Sequence, residues 1–127
     1  MGDNSYGKKE KLKSKKRITQ LFDEGKSISI YPLKLIYLET NQQEVSIQTG
    51  IAVPKRNFKN AVKRNCIKRL LRESYRLNKA IVFNNTELKF AFLFLYLGKE
   101  MPTFNTVVPK MKLLLNKFNA AIHEKNT

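Results

Sequence analysis

The ten residues from Leu88 to Leu97, LKFAFLFLYL, carry one charge and contain no turn former. A run that is apolar on both sides of an extended chain must be buried on both faces, which a strand in the middle of a covered sheet achieves. It is too short to cross a membrane, which takes about 20 residues, and the 127-residue chain contains no longer apolar run. The fold is therefore expected to form around a central strand that needs cover on two sides.

The rest of the chain supplies that cover. Leu33 to Leu38, LKLIYL, is a strand candidate behind Pro32, and Thr40 to Glu44 is a polar turn. In VSIQTGIAV, Val45, Ile47, Thr49, Ile51 and Val53 alternate with Ser46, Gln48, Gly50 and Ala52, so one face of this strand is bulky and the other small. The small face is either packed by a helix or left as the floor of a groove. Ser14 can cap a short helix through Asp23, with Ile18, Leu21 and Phe22 at helical spacing and Gly25 at its stop. Ile18 and Phe22 share one face, available for core packing or for stacking on bases. Asn60 can cap a helix from Ala61 to about Lys79. After a turn over Gly98 to Thr103, a last helix places Val107, Met111, Leu114, Leu115, Phe118 and Ile122 on one face, with Pro109 in its first turn. This order predicts an α/β (α+β) two-layer sandwich, a mixed sheet of about four strands with three helices, in one domain over residues 14–124. Residues 1–13, polar and basic, read as a flexible tail.

Charge narrows the function. Lys and Arg number 25 against 10 Asp and Glu, a net +15, and 17 of the 25 lie in two segments, Lys8 to Arg17 and Lys55 to Lys79. Such a field favours polyanions. The N-terminal MGDNSYGKKEKLKSKKR lacks the apolar stretch of a secretory signal, so a soluble, cytoplasmic protein with no membrane partner is expected. One cysteine, Cys66, and one histidine, His123, leave no zinc finger and no disulfide framework. Cys66 reads as a small packing residue and His123 as solvated.

In the segment KRNCIKRLLRE, Lys63 to Glu73, five cations meet one acid. At about 100° per residue, Arg64, Asn65, Lys68, Arg69, Arg72 and Arg76 fall within an arc of roughly 140°, joined by Tyr75, while Cys66, Ile67, Leu70, Leu71 and Leu77 lie outside it. A solvated helix usually mixes signs to gain i,i+4 pairs of about 0.2–0.5 kcal/mol. Like charges at 64, 68, 72 and 76 instead ask for a polyanion. The apolar side has no wide membrane-inserting wedge and is needed for the core. No spacing of a helix-turn-helix, finger or zipper is present, so a structured RNA fits better than duplex DNA.

The string AVPKRNFKNAVKRNCIKRLLRE, 52–73, resembles the signature of the bacterial ribonuclease P protein family, in which an "RNR" helix follows a strand and a basic loop. KLKSKKRITQLFDEGKS, with Phe22 and Gly25, resembles that family's first helix. Cys66 stands where the second Arg of RNR usually stands, and Ile18 where an aromatic is frequent. The resemblance implies a left-handed βαβ crossover, as in the second domain of a small-subunit ribosomal protein. It implies that Lys55, Arg56, Lys63, Arg64, Asn65, Lys68, Arg69 and Arg72 meet a catalytic RNA subunit. Ile18, Phe22, Lys34, Ile36 and Ala52 would line a cleft for the 5′ leader of precursor tRNA. It further implies that the RNA, with its Mg²⁺ ions, performs the hydrolysis, the protein assisting. The residues themselves offer no paired carboxylates at a plausible site, no Ser-His-Asp set and no Gly-rich phosphate loop, so no catalytic residue is expected on the protein, and no obligate protein partner is evident. Two other readings stay open: a structural RNA-binding protein without enzymatic role, and a nuclease using Asp23, Glu24 and Glu73.

Overall fold

The computed structural model describes residues 15–40, 47–83 and 89–125. The expected tail, Ser14, most of the turn before β3, Val45, Ser46, Leu88 and the side chain of His123 lie outside the described residues. The elements run α1 (Lys15–Glu24), β1 (Lys26–Ile30), β2 (Leu33–Glu39), β3 (Ile47–Ala52), α2 (Ala61–Asn78), α3 (Ala80–Phe83), β4 (Phe90–Tyr96) and α4 (Phe104–Lys125). The four strands form one mixed sheet in the order β1-β2-β4-β3. β1–β2 and β2–β4 are antiparallel, whereas β3 and β4 are parallel neighbours joined through α2 and α3.

The apolar run is the second strand from the β3 edge and is paired on both sides, as its composition demands. Its alternate residues go to opposite faces of the sheet. Phe90, Phe92, Phe94 and Tyr96 join Leu33, Leu35, Tyr37 and Ile47 in the main core under α2 and α4. Phe118 of α4 stands in the centre of this core, its ring 5.0, 5.0 and 4.8 Å from those of Tyr37, Phe90 and Phe92, each edge-on, the favoured arrangement of aromatic pairs. Ala91 and Leu93 point the other way and form a smaller cluster with Ile36 and with Leu21 of α1. To the sandwich of sheet and helical layer, α1 thus adds a single helix on the far face.

Two local features depart from expectation. β1, KSISI, is a short edge strand whose Ser-Ile alternation marks it, although five residues beside a helix stop give little signal. Pro109 sits in the second turn of α4, not the first. Thr103 and Thr106 cap each other's backbone, Thr106 N donating to Thr103 Oγ1 at 3.3 Å and Thr103 N to Thr106 Oγ1 at 3.2 Å, which starts the helix at Phe104. The N–H that proline lacks would have bonded the carbonyl of Asn105, an exposed residue that water can serve.

Candidate nucleic-acid interface

Helix α2 begins where Asn60, in an extended conformation, accepts hydrogen bonds from Val62 N at 2.8 Å and Lys63 N at 3.3 Å. It seats on the sheet through a narrow row, Ile67, Leu71, Ser74 and Tyr75, spaced by three and four residues. Lys63, Asn65, Arg69 and Arg72 are exposed, and Arg64 and Lys68 half-buried. Burying Ile67 and Leu71 contributes roughly 1.5–3 kcal/mol each, so the core fixes which way the cations point.

Three expectations about this helix are corrected. Tyr75 is not on the cationic face: it is 2% exposed and packs 5.3 Å from Phe94, because it continues the Ile67–Leu71 row at the next i+4 step. Cys66 is not a packing residue but exposed, since the seated row is too narrow to reach position 66. Arg76 leaves the like-charge stack by pairing with Glu73, its Nε donating to the two carboxylate oxygens at 3.0 and 3.2 Å. That hydrogen bond, helped by the arginine's charge and opposed by desolvation, holds the Glu73 carboxyl below its ordinary range. The pair cancels the acid, leaving the exposed face before it with one sign.

The basic loop is braced from both directions. Phe58 is buried against Tyr96, with ring centroids 6.0 Å apart. Arg64 Nη1 donates to the carbonyls of Phe58 at 2.8 Å and Lys59 at 2.9 Å. Arg64 therefore shapes the loop as well as adding charge. Lys55 and Arg56 are exposed on it, and so is Lys59, which the sequence reading had not selected although it stands next to the cap residue.

On the far face of the sheet the register sets out a small-residue floor. Lys34, Leu95 and Ala52 form one row across β2, β4 and β3; Ile36, Leu93 and Gly50 form the next; Leu38, Ala91 and Gln48 the third. α1 covers part of it with Leu21. The helix comes close because Gly25 follows it: a Cβ there would lie 2.8 Å from Ile36 Cγ2 and against the Leu21 carbonyl. Arg17 Nη1 ties α1 to Thr40 Oγ1 at 2.7 Å. Among the described residues the cover ends toward β3, leaving Lys34, Gln48, Gly50, Ala52 and Leu95 half-buried along a groove.

Of the five predicted cleft residues, Ile18, Ile36 and Ala52 meet in the same apolar cluster. Lys34 lies in Ala52's row, and Phe22 stands 57% exposed on α1, one turn from Ile18. Ile36, 7% exposed, is floor more than wall. Gln48 and Gly50, on the small strand face that could floor a groove, continue this surface, and Leu95 completes it; Leu95 had no such signal, because only strand register brings it beside Lys34 and Ala52. The groove and the face of α2 lie on opposite sides of the sheet, and the chain joins them directly, Ala52 ending β3 just before Lys55 and Arg56. Among the described residues no three of His, Cys, Asp or Glu come together to hold a metal ion. Asp23, Glu24 and Glu73 do not form such a set. No helix among the described residues is long and apolar enough to cross a membrane.

Comparison with known proteins agrees with this layout. The family model described as Ribonuclease P matches residues 6–119. The ribonuclease P protein component of Porphyromonas gingivalis is 36% identical over 109 residues, covering 83% of this chain and 80% of the relative. Among solved structures, the RNase P protein of Thermotoga maritima superimposes with a TM-score of 0.69 at 26% identity, over 85% of this chain and 96% of that one. That of Staphylococcus aureus gives a TM-score of 0.70 at 20% identity, over 86% and 94%. With its sheet order, its basic helix and nearly its whole length accounted for by these matches, the chain belongs to the ribonuclease P protein family.

Proposed function

We propose that this protein, as the protein subunit of ribonuclease P in tRNA processing, docks on the catalytic RNA through α2 and its preceding loop and holds the 5′ leader of precursor tRNA in the groove beside α1. The observation that carries the reading is the single-signed face of Lys63, Asn65, Arg69 and Arg72, continued by Lys55, Arg56 and Lys59 to the mouth of an open groove. Arginine forks engage phosphate oxygens in pairs, and Asn65 can address a base edge or a ribose hydroxyl. Half-buried Arg64 and Lys68 stay close to the helix surface and add to the field at the same contact. In the groove the small side chains of Gly50 and Ala52 leave room for a strand, Phe22 offers a ring for stacking, and Lys34 a charge for one phosphate.

This reading assigns the activation of water to the RNA. Among the described residues no three His, Cys, Asp or Glu side chains gather to hold a metal ion; in this reading Mg²⁺ ions belong to the RNA, where they would supply the hydrolytic chemistry. The chain's own residues neutralise phosphates where two polyanions meet and fix the leader's path, acting in the cytoplasm. About five phosphate contacts predict a salt slope near −3.5 to −4.5 on a log-log plot. The test is 5′ maturation of precursor tRNA by a cognate catalytic RNA at low Mg²⁺, with and without the protein. Cleavage should require the RNA and rise with the protein. Cleavage by the protein alone would overturn the division of labour, and no enhancement would return the chain to a structural RNA-binding role.

A further inference from the structure

The sheet end where β4 stops gathers several loops. Leu33 pairs with Tyr96, which brings the Tyr31–Pro32 turn there, and Ala52 pairs with Leu95, which brings the basic loop. Two adjoining cavities of about 230 and 240 Å³ open at this end and share Pro32, Tyr96 and Glu100. Tyr31 and Lys99 flank one, Met101 and Lys110 the other. Tyr96 is the common wall, and its ring packs near that of Phe58, with centroids 6.0 Å apart. The Tyr96 hydroxyl is committed to the Glu100 carbonyl at 2.7 Å. Burial pushes its pKa up, and the neighbouring Tyr31 and Glu100 act in the same direction. It is a neutral wall, not an acid.

Tyr31, in the turn between β1 and β2, is an exposed aromatic at this end. It is 69% exposed and belongs to neither apolar cluster, yet it stands at the rim of a cavity on a chain of net charge +15. Each cavity falls below the roughly 300 Å³ at which sites for drug-sized ligands begin, so the space suits one planar ring system. Lys99 and Lys110 outweigh the single charge of Glu100 and suit phosphates on either side of such a ring. We propose that this paired cavity receives one unpaired nucleobase of the partner RNA, stacked on Tyr31, with the flanking phosphates against Lys99 and Lys110. The inference rests on the RNA-docking reading above and adds a contact away from both α2 and the groove.

The test uses the full-length protein. The Met101 methyl resonance should shift saturably on addition of adenosine or cytidine 5′-monophosphate and stay in place with ribose 5-phosphate. Tyr31→Leu should abolish the shift and Tyr31→Phe retain it. With the cognate catalytic RNA, Tyr31→Leu should weaken binding about 5- to 150-fold, the range for loss of one base–aromatic stack, while Tyr31→Phe binds as the parent does. The double variant Lys99→Gln/Lys110→Gln should flatten the log-log salt slope by about 1.4–1.8. Equal shifts with ribose 5-phosphate would reduce the cavity to a phosphate contact and overturn the proposal. So would parental RNA affinity in Tyr31→Leu while Arg69→Ala weakens binding, an outcome that leaves the α2 reading intact. If Arg69→Ala also binds as the parent does, the α2 reading fails together with this one.

Discussion

The two faces of one sheet do different work here. Toward α2 and α4, β2 and β4 present Leu33, Leu35, Tyr37, Phe90, Phe92, Phe94 and Tyr96, and two long helices close over them. Toward α1, the alternate residues of β2, β4 and β3 include Ala91, Gly50 and Ala52, and one ten-residue helix covers only part of the floor. The same strands thus carry a dry aromatic core on one side and a half-open groove on the other. Side-chain volume and the extent of helical cover account for the difference. A sheet needs one well-packed face for stability; the second face can then remain open to a ligand.

Breaking the packed face should have the largest effect. Phe118→Ala removes the ring around which Tyr37, Phe90 and Phe92 are arranged and should lower stability by about 3–5 kcal/mol, measured by denaturant unfolding. A loss below about 1 kcal/mol would show that α4 is not what closes this core. On the open face the effect should move from stability to binding. Phe22→Ala should leave unfolding within about 0.5 kcal/mol of the parent, yet weaken binding of leader-bearing precursor tRNA by about 1–3 kcal/mol relative to mature tRNA. Equal losses for the two RNAs would sink the groove assignment. Arg69→Ala and Arg72→Ala, on the outward side of the packed layer, should each flatten the salt dependence of RNA binding by about 0.7–0.9 on the log-log slope; an unchanged slope would remove that residue from the interface.

The smallest effect concerns the one acid on that helix. Glu73 has its pKa depressed by Arg76, so its contribution to stability is present above the ordinary carboxylate pKa and is lost as pH falls through the depressed value. The pair is partly exposed, which limits Glu73→Gln to about 0.5 kcal/mol or less at neutral pH. The difference between variant and parent should vanish in acid. A difference that persists there would mean that Glu73 stabilises the helix by something other than its charge.

Much of this was legible in the residues. The run around Phe90 to Tyr96 required a central strand, the spacing from Val107 to Ile122 required an amphipathic helix, and Asn60 followed by a basic stretch required a capped helix with cations outward. Each of these is written in a local period. The misreadings arose where a period left a residue near a boundary. Tyr75 and Cys66 lie on the flanks of the seated stripe, and which flank is buried depends on how the helix rolls on the sheet, a matter settled by Phe94 and not by α2's own sequence. Arg76 was counted with the cations because its spacing fits them, but a carboxylate three residues earlier was near enough to claim it.

By itself, then, the sequence determined the fold class, the polarity of α2 and the polyanionic nature of the partner, because hydrophobic periodicity and net charge are properties of the chain alone. Only the tertiary structure decided that Gln48, Gly50 and Leu95 floor the groove with Lys34 and Ile36, that Arg64 braces the loop it follows, and that Tyr31 meets Tyr96 and Lys99 at one end of the sheet. Those neighbours are far apart in the chain. Strand register and a crossover connection bring them together, and no local pattern encodes either.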